Sequence, residues 1–336
     1  MDFTLYTSFP DDLETEWNSL LDESVTHVPF LRYEYLRTWW QTRGGGEWPA
    51  AQLAVIIARR AGQLVGIAPL FVADHQGQSS LMLLGSIEVS DYLDLLVRPA
   101  DLEAFVAGLL DYLKTAPLPP WSALDLYNLL DQSPTLSALE KAASTQSWAY
   151  SSQSLQHSPH ISLPGDWETY LAGIDKKQRH EIRRKMRRTE EMGVPLHWYI
   201  VEDTARLDEE VDAFMALMAN DAEKAAFLTP AMRQHMHLTA RCAFDHGCLQ
   251  LAFLEIGGQK AAGYINFDYL NRLWIYNSGL DPRFNEFSPG WVLLGYLLQW
   301  ANENKRTEFD FMRGDEEYKY RFGAMDRFVM RAKLTP

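Results

Sequence analysis

Three apolar segments of strand length follow one another in the second half of the chain, and they constrain the fold more than any other feature. These segments are residues 248–256, 260–269 and 273–280. The turns between them are too short for anything except antiparallel neighbours, so we expect a three-stranded meander. Helical patterns precede the meander, and an apolar helix over residues 289–304 and a strand over residues 308–311 follow it. This order indicates an α+β domain with a mixed sheet.

The first half has a similar order of elements. After predicted helices over residues 11–21 and 32–42 come two apolar runs of hairpin spacing, and strands then alternate with helices. The predicted strands are residues 52–59, 63–72, 80–84, 92–97 and 123–127, and the predicted helices are residues 100–113 and 134–145. No sequence repeat is visible, but the order predicts two copies of one architecture. We expect domains at residues 1–155 and 156–336, with the boundary in the Ser- and Gln-rich stretch 144–159.

Composition and charge exclude several classes of protein. The 336 residues are 47% hydrophobic, enough for a sizeable core, and the net charge of −14 argues against general nucleic-acid binding. The two cysteines, Cys242 and Cys248, are too few for a disulfide framework and have no zinc or redox spacing. We therefore expect a cytoplasmic protein. With no signal-peptide pattern and no apolar run of about 18 residues, we expect no membrane span.

Residues 176–188 place eight Lys or Arg side chains in thirteen positions of this acidic chain. On a helix, five of the segment's residues share one stripe, namely Lys176, Arg179, His180, Arg183 and Arg187. Like charges at this spacing repel, so acids of the protein or a bound anion must offset them. The two interpretations are a solvated, ion-paired helix and a binding surface for a phosphorylated carrier such as coenzyme A, an acyl carrier protein or a tRNA end.

A second candidate segment, residues 281–290, lies between the last strand of the meander and the long apolar helix. Ser288 is a candidate N-cap, Pro289 suits the first helical turn, and Gly290 lets a ligand approach the main chain. Free amides at this helix start, with Arg283 nearby, would attract a phosphate or pyrophosphate. Simple helix capping is the competing interpretation.

The third segment, residues 309–323, runs from an alternating strand into a dense set of charges. Acids, cations and a phenol lie within ten positions, which is enough for general-base catalysis and for holding an anion. The candidates are Asp310, Arg313, Asp315, Glu316, Tyr318 and Lys319. The competing interpretation is an ion-paired turn that locks the last strand.

Other residues offer weaker chemistry. Asp91 and Asp94, on either side of Tyr92, are candidates to reach an amine substrate across a cleft between the domains, although such acids more often cap a strand edge. The histidines lack metal-ligand spacing, so we expect no metal. The chain also lacks the G-x-S-x-G, G-x-x-x-x-G-K-[ST] and G-x-G-x-x-G motifs, which leaves hydrolase, P-loop and Rossmann interpretations unsupported.

Three of these segments occur together and in a recognisable order: residues 176–193, 288–290 and 310–323. In combination they resemble the CelD-type, FemAB-like branch of the GNAT acyltransferase superfamily, whose members are also called cellulose-biosynthesis acetyltransferase-like proteins. Residues 35–40, 66–70 and 92–97 resemble the first half of that family. The resemblance therefore spans nearly the whole chain.

The resemblance implies two tandem GNAT-like domains, each a mixed, mostly antiparallel sheet flanked by helices, with the donor site in the second. In that family a central strand separates from its neighbour, and its open amides bind pantetheine and polarise the thioester carbonyl. By position, this strand contains Tyr276, Asn277, Ser278 and Gly279, and the pyrophosphate-binding helix start contains Ser288, Pro289 and Gly290.

One departure from the family concerns the donor. The usual pyrophosphate loop has two small residues in an Arg/Gln-x-x-Gly-x-Gly/Ala pattern, whereas residues 285–290 contain one glycine. FemAB relatives use aminoacyl-tRNA instead of acyl-CoA, and the basic segment could serve that donor. The resemblance thus leaves acyl-CoA, an acyl carrier protein and aminoacyl-tRNA open as donors.

We expect an N-acyltransferase whose acceptor is a small amine or a glycan. Glu316, with Asp315, would accept the proton of the amine, and Tyr318 would protonate the leaving thiolate. Lys319 and Arg313 would hold an anionic part of a substrate, while Arg183 and Arg187 would set donor affinity. The alternative is a non-catalytic module with the same fold that docks a carrier protein or a polysaccharide-assembly partner.

Overall fold

The computed structural model describes residues 1–191 and 193–336 and divides the chain into two compact units. The first unit contains Met1–Gln156 and Phe328–Pro336, and the second contains His157–Arg327. The predicted division at 155/156 placed the C-terminal segment in the second domain, whereas this segment joins the sheet of the first unit. Met192, the last residue of the helix predicted from Lys176, lies outside the described residues.

Strands form one sheet in each unit. In chain order they are β1 (Asp2–Tyr6), β2 (Gln52–Arg60), β3 (Gln63–His75), β4 (Gln78–Leu83), β5 (Leu96–Val97), β6 (Ala123–Leu130), β7 (Ala149–His157), β8 (His160–Ser162), β9 (Leu196–Ile200), β10 (Leu249–Ile256), β11 (Gln259–Tyr269), β12 (Arg272–Leu280), β13 (Glu308–Asp310) and β14 (Phe328–Thr335). The first sheet has the order β1-β2-β3-β4-β6-β14-β7, with β5 beside β3. The second has the order β8-β13-β12-β11-β10-β9.

Helices flank both sheets. They are α1 (Glu14–Leu21), α2 (Tyr33–Gly46), α3 (Leu102–Leu113), α4 (Pro134–Gln146), α5 (Trp167–Gly173), α6 (Lys176–Glu191), α7 (Leu207–Met218), α8 (Ala222–Phe227), α9 (Pro230–Asp245), α10 (Pro289–Glu303) and α11 (Glu317–Arg321). No helix in the described ranges has the length and apolar character needed to cross a bilayer.

The second unit has an apolar core on each face of its sheet. On one face α5, α6 and α10 cover sheet side chains that include Leu254, Leu273 and Ile275. On the other face α7 and α9 cover Phe253 and Ile265. Antiparallel neighbours predominate in both sheets, and β12–β13 and β4–β6 are parallel. The predicted α+β class, with mixed and mostly antiparallel sheets flanked by helices, is confirmed.

Two predicted segments differ from the structure. Only Leu96–Val97 of the predicted strand over residues 92–97 is a strand, because the preceding residues form a loop whose Leu93 N–H donates to the Asn128 carbonyl at 2.7 Å. The stretch predicted as a boundary, residues 144–159, contains the nine-residue strand β7. Pairing with β14 supplies the hydrogen bonds that hold this polar stretch extended.

Candidate active site

The second half of β12 has one open edge. The strand pairs with β11 along Arg272–Leu280, with an irregularity at Ile265/Asn266 that leaves Tyr276 without an opposite residue. Its parallel ladder to β13 joins only Arg272, Leu273 and Trp274 to Glu308, Phe309 and Asp310. In the described part of the chain the two strands therefore separate after Trp274, as the resemblance implies for residues 276–279.

The main chain of Ser278 is turned towards this open edge. Its N–H donates to the Asn277 side-chain oxygen at 2.8 Å, and its carbonyl accepts from the Lys224 ammonium at 2.5 Å. The same Lys224 ammonium also donates to Asn277 Oδ1 at 3.0 Å. Side chains thus occupy both polar main-chain groups of Ser278.

A 3-10 helix, Pro282–Phe287, follows this strand and leads into α10. Ser288 occupies the predicted N-cap position of α10, but its backbone is left-handed (φ 51°) and its side chain makes no capping hydrogen bond. Its carbonyl accepts the Val292 N–H at 3.1 Å. Because Pro289 has no N–H, the amides of Gly290 and Trp291 are the first-turn donors that face outward. Their position suits an anion.

Arg283 is already paired. Its guanidinium donates to both carboxylate oxygens of Asp281, and this pairing lowers the pKa of Asp281. The positive charge of Arg283, predicted to bind phosphate, is therefore offset by the carboxylate of Asp281. Arg283 remains largely exposed, so the pair lies on the surface next to the start of α10.

Glu316 and two tyrosines lie near one another in the second unit. Glu316 precedes α11 and keeps 57% of its side chain exposed. Burial, and then the nearby Glu316 carboxylate, raise the pKa of Tyr318. Tyr264 extends from β11 and donates to the Gly290 carbonyl at 3.4 Å, and burial followed by the charges of Tyr318 and Glu316 raise its pKa. The acid, the phenols and the start of α10 therefore surround one region.

Lys319 anchors the turn that carries Glu316. Its ammonium is buried and donates to the carbonyls of Arg313 and Gly314 at 2.8 and 3.1 Å and to Glu316 at 2.8 Å. With three acceptors already bound, Lys319 fixes the position of Glu316. Asp315 is exposed, and Arg313 contributes its carbonyl to this turn.

Three acids that the sequence predicted for substrate binding are buried: Asp91, Asp94 and Asp310. Asp310 is fully buried, accepts the Met312 N–H at 2.8 Å and forms an ion pair with Arg327. Asp91 and Asp94 are buried in the first unit, whereas the cluster around Glu316 lies in the second. Asp94 accepts the hydroxyls of Thr26 and Ser133, both at 2.5 Å. These contacts satisfy the carboxylates of Asp310 and Asp94 within the fold.

The basic helix α6 lies along α10. Met186 contacts Gly295, and the Lys185 ammonium lies 4.1 Å from the centre of the Trp291 ring, at the start of α10. Arg183 and Arg187 of the predicted stripe pair with Glu168 and Glu191, and Arg179 donates to carbonyls at the end of α5. Acids of the protein thus neutralise part of the helix, as the ion-paired interpretation requires.

Part of the positive charge of α6 is not neutralised by acids in the part of the protein that the structure describes. Lys176, Lys177 and Arg188 make no side-chain ion pair or hydrogen bond within the described residues. Their exposed side chains remain available to an anion. Both interpretations of the basic segment therefore keep support.

Sequence reasoning missed Lys224 and Tyr264. Lys224 lines a cavity of about 230 Å³ between the ends of α7 and β12. The lining residues are Leu217, Met218, Asn220, Asp221, Lys224, Ser278, Gly279, Leu280, Pro282 and Asn285. A lysine in a short surface helix and a tyrosine in an apolar strand carry no local signal, because their partners lie far away in the sequence.

Comparisons with known proteins agree with this geometry. Residues 176–320 match the sequence family described as "Acetyltransferase (GNAT) domain". The chain is similar to FemX, with 12% identity, 98% of this chain and 97% of that chain covered, and a TM-score of 0.68. It is similar to L-PGS from Bacillus licheniformis, with 12% identity, 97% and 92% coverage and a TM-score of 0.57. No curated protein sequence matches the chain.

A tandem GNAT protein from the clavulanic acid biosynthesis pathway is also similar over its whole length, with 14% identity, 98% and 97% coverage and a TM-score of 0.50. At these identities the structural likenesses show the fold alone. The predicted tandem, FemAB-like architecture is confirmed. Residues 176–320 are a GNAT-type acyltransferase domain in a chain with the FemX-like tandem fold.

Proposed function

We propose that the second unit transfers an acyl or aminoacyl group from a carrier to an amine at the open edge of β12. The observation that carries this proposal is the separation of β12 from β13 after Trp274, beside the start of α10 and the Glu316 cluster. An open strand edge offers main-chain hydrogen bonds to a donor without competing strand pairing. The same edge lies close to an exposed carboxylate that can accept a proton.

The donor would lie along Tyr276, Asn277, Ser278 and Gly279, with its phosphates at the start of α10. Main-chain amides near Tyr276 would polarise the acyl carbonyl, and such donors are worth a few kcal/mol when they are already in place. The amides of Gly290 and the positive end of the α10 dipole suit phosphate groups. Cations of α6, including Lys176, Lys177, Arg183, Arg187 and Arg188, would add long-range attraction.

In the proposed reaction, the amine nitrogen attacks the carbonyl carbon of the donor. A C–N bond forms, and the bond from carbon to the carrier's sulfur or oxygen breaks. Glu316 accepts the proton that the amine loses, directly or through water, with Asp315 beside it. Tyr318, whose phenol is protonated at neutral pH, gives a proton to the leaving group and regains one from Glu316, directly or through water. Lys319 holds Glu316 in place.

The proposal also covers the identities of the carrier and the acceptor. The carrier is coenzyme A, an acyl carrier protein or a tRNA, and the acceptor is a small amine or a glycan. The sequence predicted four residues for acceptor binding, namely Asp91, Asp94, Asp310 and Arg313. Of these, Arg313 lies in the turn next to Glu316. Cys242 and Cys248 form no disulfide within the described residues, which fits a reducing, cytoplasmic location. The CelD-type branch stays a prediction.

A thermal-shift screen tests the donor class. The probes are acetyl-CoA, a long-chain acyl-CoA, an acylated carrier protein and an aminoacyl-tRNA. A ligand present at 100 times its dissociation constant stabilises a protein by about 2.7 kcal/mol, which moves the melting temperature measurably. One class of probe should raise the melting temperature, and the rise should shrink with added salt because α6 contributes cations.

A non-catalytic docking module is the second candidate. The pairing of Arg283 with Asp281 and the missing Ser288 cap favour it, because both weaken the expected pyrophosphate site. Absence of any shift across the four probes, together with no acyl transfer to a panel of amines, would favour the module. A shift with turnover would exclude it.

A further inference from the structure

Lys224 is held at the open edge of β12 by its own short helix. Asp221 caps α8, and its carboxylate accepts the main-chain N–H groups of Glu223 and Lys224 at 2.9 and 3.0 Å. The cap fixes the first turn, from which the Lys224 side chain extends to β12. Its ammonium lies 2.5 Å from the Ser278 carbonyl and 3.0 Å from Asn277 Oδ1. A cation is therefore positioned where the strand ceases to pair.

The surroundings of Lys224 connect it to the other side of the site. Burial lowers the pKa of Lys224, while the negative charges of Asp221 and Glu316 act in the opposite direction. The Glu316 carboxylate is thus near enough to the ammonium to interact with it. Nζ donates to Asn277 Oδ1 and to the carbonyl and hydroxyl oxygens of Ser278, so the group acts as a hydrogen-bond donor.

The main-chain amide of Ser278 is not free to bind an acyl donor. The Ser278 N–H already donates to Asn277 Oδ1 at 2.8 Å. The carbonyl oxygen of an acyl donor that approaches Ser278 therefore needs an N–H group from elsewhere. The Lys224 ammonium is close by, because it lies 2.5 Å from the Ser278 carbonyl oxygen. It also lines the cavity at the end of β12.

We propose that Lys224 is a catalytic residue that donates a hydrogen bond to the acyl carbonyl oxygen of the donor. This inference rests on the proposed acyl transfer. When the amine attacks, the carbonyl oxygen gains negative charge, and the ammonium stabilises that charge without giving up its proton. The charge returns to the carbonyl when the bond to the carrier breaks, and Lys224 is left unchanged. Its hydrogen bond to the Ser278 carbonyl is exchanged for the one to the donor.

Lys224→Met tests the inference, with Lys305→Met as the matched control. The Lys305 ammonium also donates to a main-chain carbonyl, that of Gly165 at 2.7 Å, but it lies outside the site. Transfer is measured with the carrier and amine that give turnover in wild-type protein, and donor affinity is measured by titration calorimetry. We expect Lys224→Met to lower kcat about 100-fold or more while the donor Kd changes less than about 3-fold. The control should match the wild type.

Lys224→Gln separates catalysis from a structural tether. If Lys224 only ties α8 to β12, Met and Gln would lower the melting temperature and raise the donor Kd while kcat at saturation stayed unchanged, which would overturn the inference. We expect Lys224→Gln, which keeps a hydrogen-bond donor without charge, to lose kcat and keep its melting temperature. Methylammonium should restore part of the activity of Lys224→Ala.

The outcomes distinguish this inference from the proposed function. Wild-type turnover with unchanged kcat in the Lys224 variants would reject Lys224 and keep the acyltransferase. Loss of kcat in the Lys224 variants, with normal Lys305→Met, would support both. A wild-type protein that transfers nothing from any of the four donor classes would reject both.

Discussion

Glu316 and Asp94 are both carboxylates, but their surroundings give them different roles. Glu316 keeps more than half of its side chain in water and has one ion-pair partner, Lys319. Asp94 is fully buried and accepts from two hydroxyls and the Leu95 N–H, and burial raises its pKa. A proton acceptor must be reachable by its substrate, so Glu316 is suited to catalysis and Asp94 to holding the fold.

Glu316→Gln should lower kcat by about 100- to 10,000-fold, because the amide cannot accept the proton of the amine. Its melting temperature should stay within about 1 °C of the wild type, since the side chain is exposed and Lys319 keeps two carbonyl acceptors. Steady-state kinetics and a thermal melt check both statements.

Glu317→Gln is the matched control for this change. Glu317 is the next residue, it is exposed, and it pairs with Arg321 on its own helix. We expect near wild-type rates from this variant. Equal rates for Glu316→Gln and the wild type would remove Glu316 from the mechanism.

At the scale of elements, α7 packs directly on the end of β12. A Cβ added to Gly279 would lie 2.5 Å from the Met218 nitrogen and 2.7 Å from the Leu217 carbonyl carbon. Both atoms belong to the main chain, so neither can move aside as a flexible side chain can. The absence of a side chain at Gly279 therefore lets the helix meet the open strand.

Gly279→Ala should destabilise the protein by about 1–3 kcal/mol, because the added methyl group overpacks a backbone contact. Gly173→Ala is the control, since a Cβ there meets no atom within 4 Å. Urea unfolding measures both changes. A Gly279→Ala variant as stable as Gly173→Ala would show that α7 and β12 are less closely packed than described.

His235 on α9 gives the second unit a dependence on pH. Burial lowers the pKa of His235 to about 4 from an ordinary value of 6.5. The unfolded chain therefore binds the proton more readily, so this contribution to stability is complete above pH 6.5 and is lost as the pH falls towards 4. Between pH 7.5 and 5 the loss is about 2 kcal/mol.

Comparison with His235→Gln isolates this effect, because the carboxylates titrate in both proteins while the amide does not. Urea unfolding at pH 7.5 and pH 5 should show a larger loss of stability in the wild type by about that amount. Equal losses in the two proteins would contradict the assigned burial of His235.

Elements with strong local patterns could be predicted from the sequence. The strands β10, β11 and β12 and the helix α10 have long apolar runs bounded by turn residues, so their type is fixed locally. Strand β7 could not, because its exposed Ser and Gln side chains lack any strand pattern and its extended state depends on pairing with β14.

The same reasoning applies to the site. Glu316 and Lys319 belong to a dense local cluster of charges and could be nominated from sequence. Lys224 lies 54 residues from the Ser278 carbonyl that it binds, and no spacing rule connects the two. The sequence around Ser288 has a capping pattern, but the backbone of Ser288 is left-handed and its side chain makes no capping hydrogen bond.

At the scale of the whole molecule, each unit contains a pair of parallel strands that are joined only at their start, β4–β6 in the first and β12–β13 in the second. In the first unit the parallel pair β4–β6 also joins only at its start, Ser80 and Leu81 to Ala123 and Leu124. Beyond that point the chain itself fills the gap, because the Asn128 amide donates to the carbonyls of Ile87 and Ser90 at 2.9 and 2.7 Å. The corresponding position in the second unit is open.

The chain should therefore bind one donor molecule. Titration calorimetry with the donor identified in the thermal-shift screen should give a stoichiometry close to one per chain. Asn128→Ala, which removes the hydrogen bonds that hold the filling loop, should destabilise the protein by about 1–3 kcal/mol without creating a second site. Two equivalents bound to the wild type would show that the first unit also takes the donor.

The central claim is that the acyl donor lies along the open edge of β12. A crystal structure with a donor analogue in which a methylene group replaces the thioester sulfur would test it most directly. The account predicts the acyl carbonyl oxygen within about 3 Å of a main-chain amide of β12 or of the Lys224 ammonium, with the phosphates at the start of α10. An analogue bound elsewhere, with the open edge of β12 unoccupied, would contradict the claim.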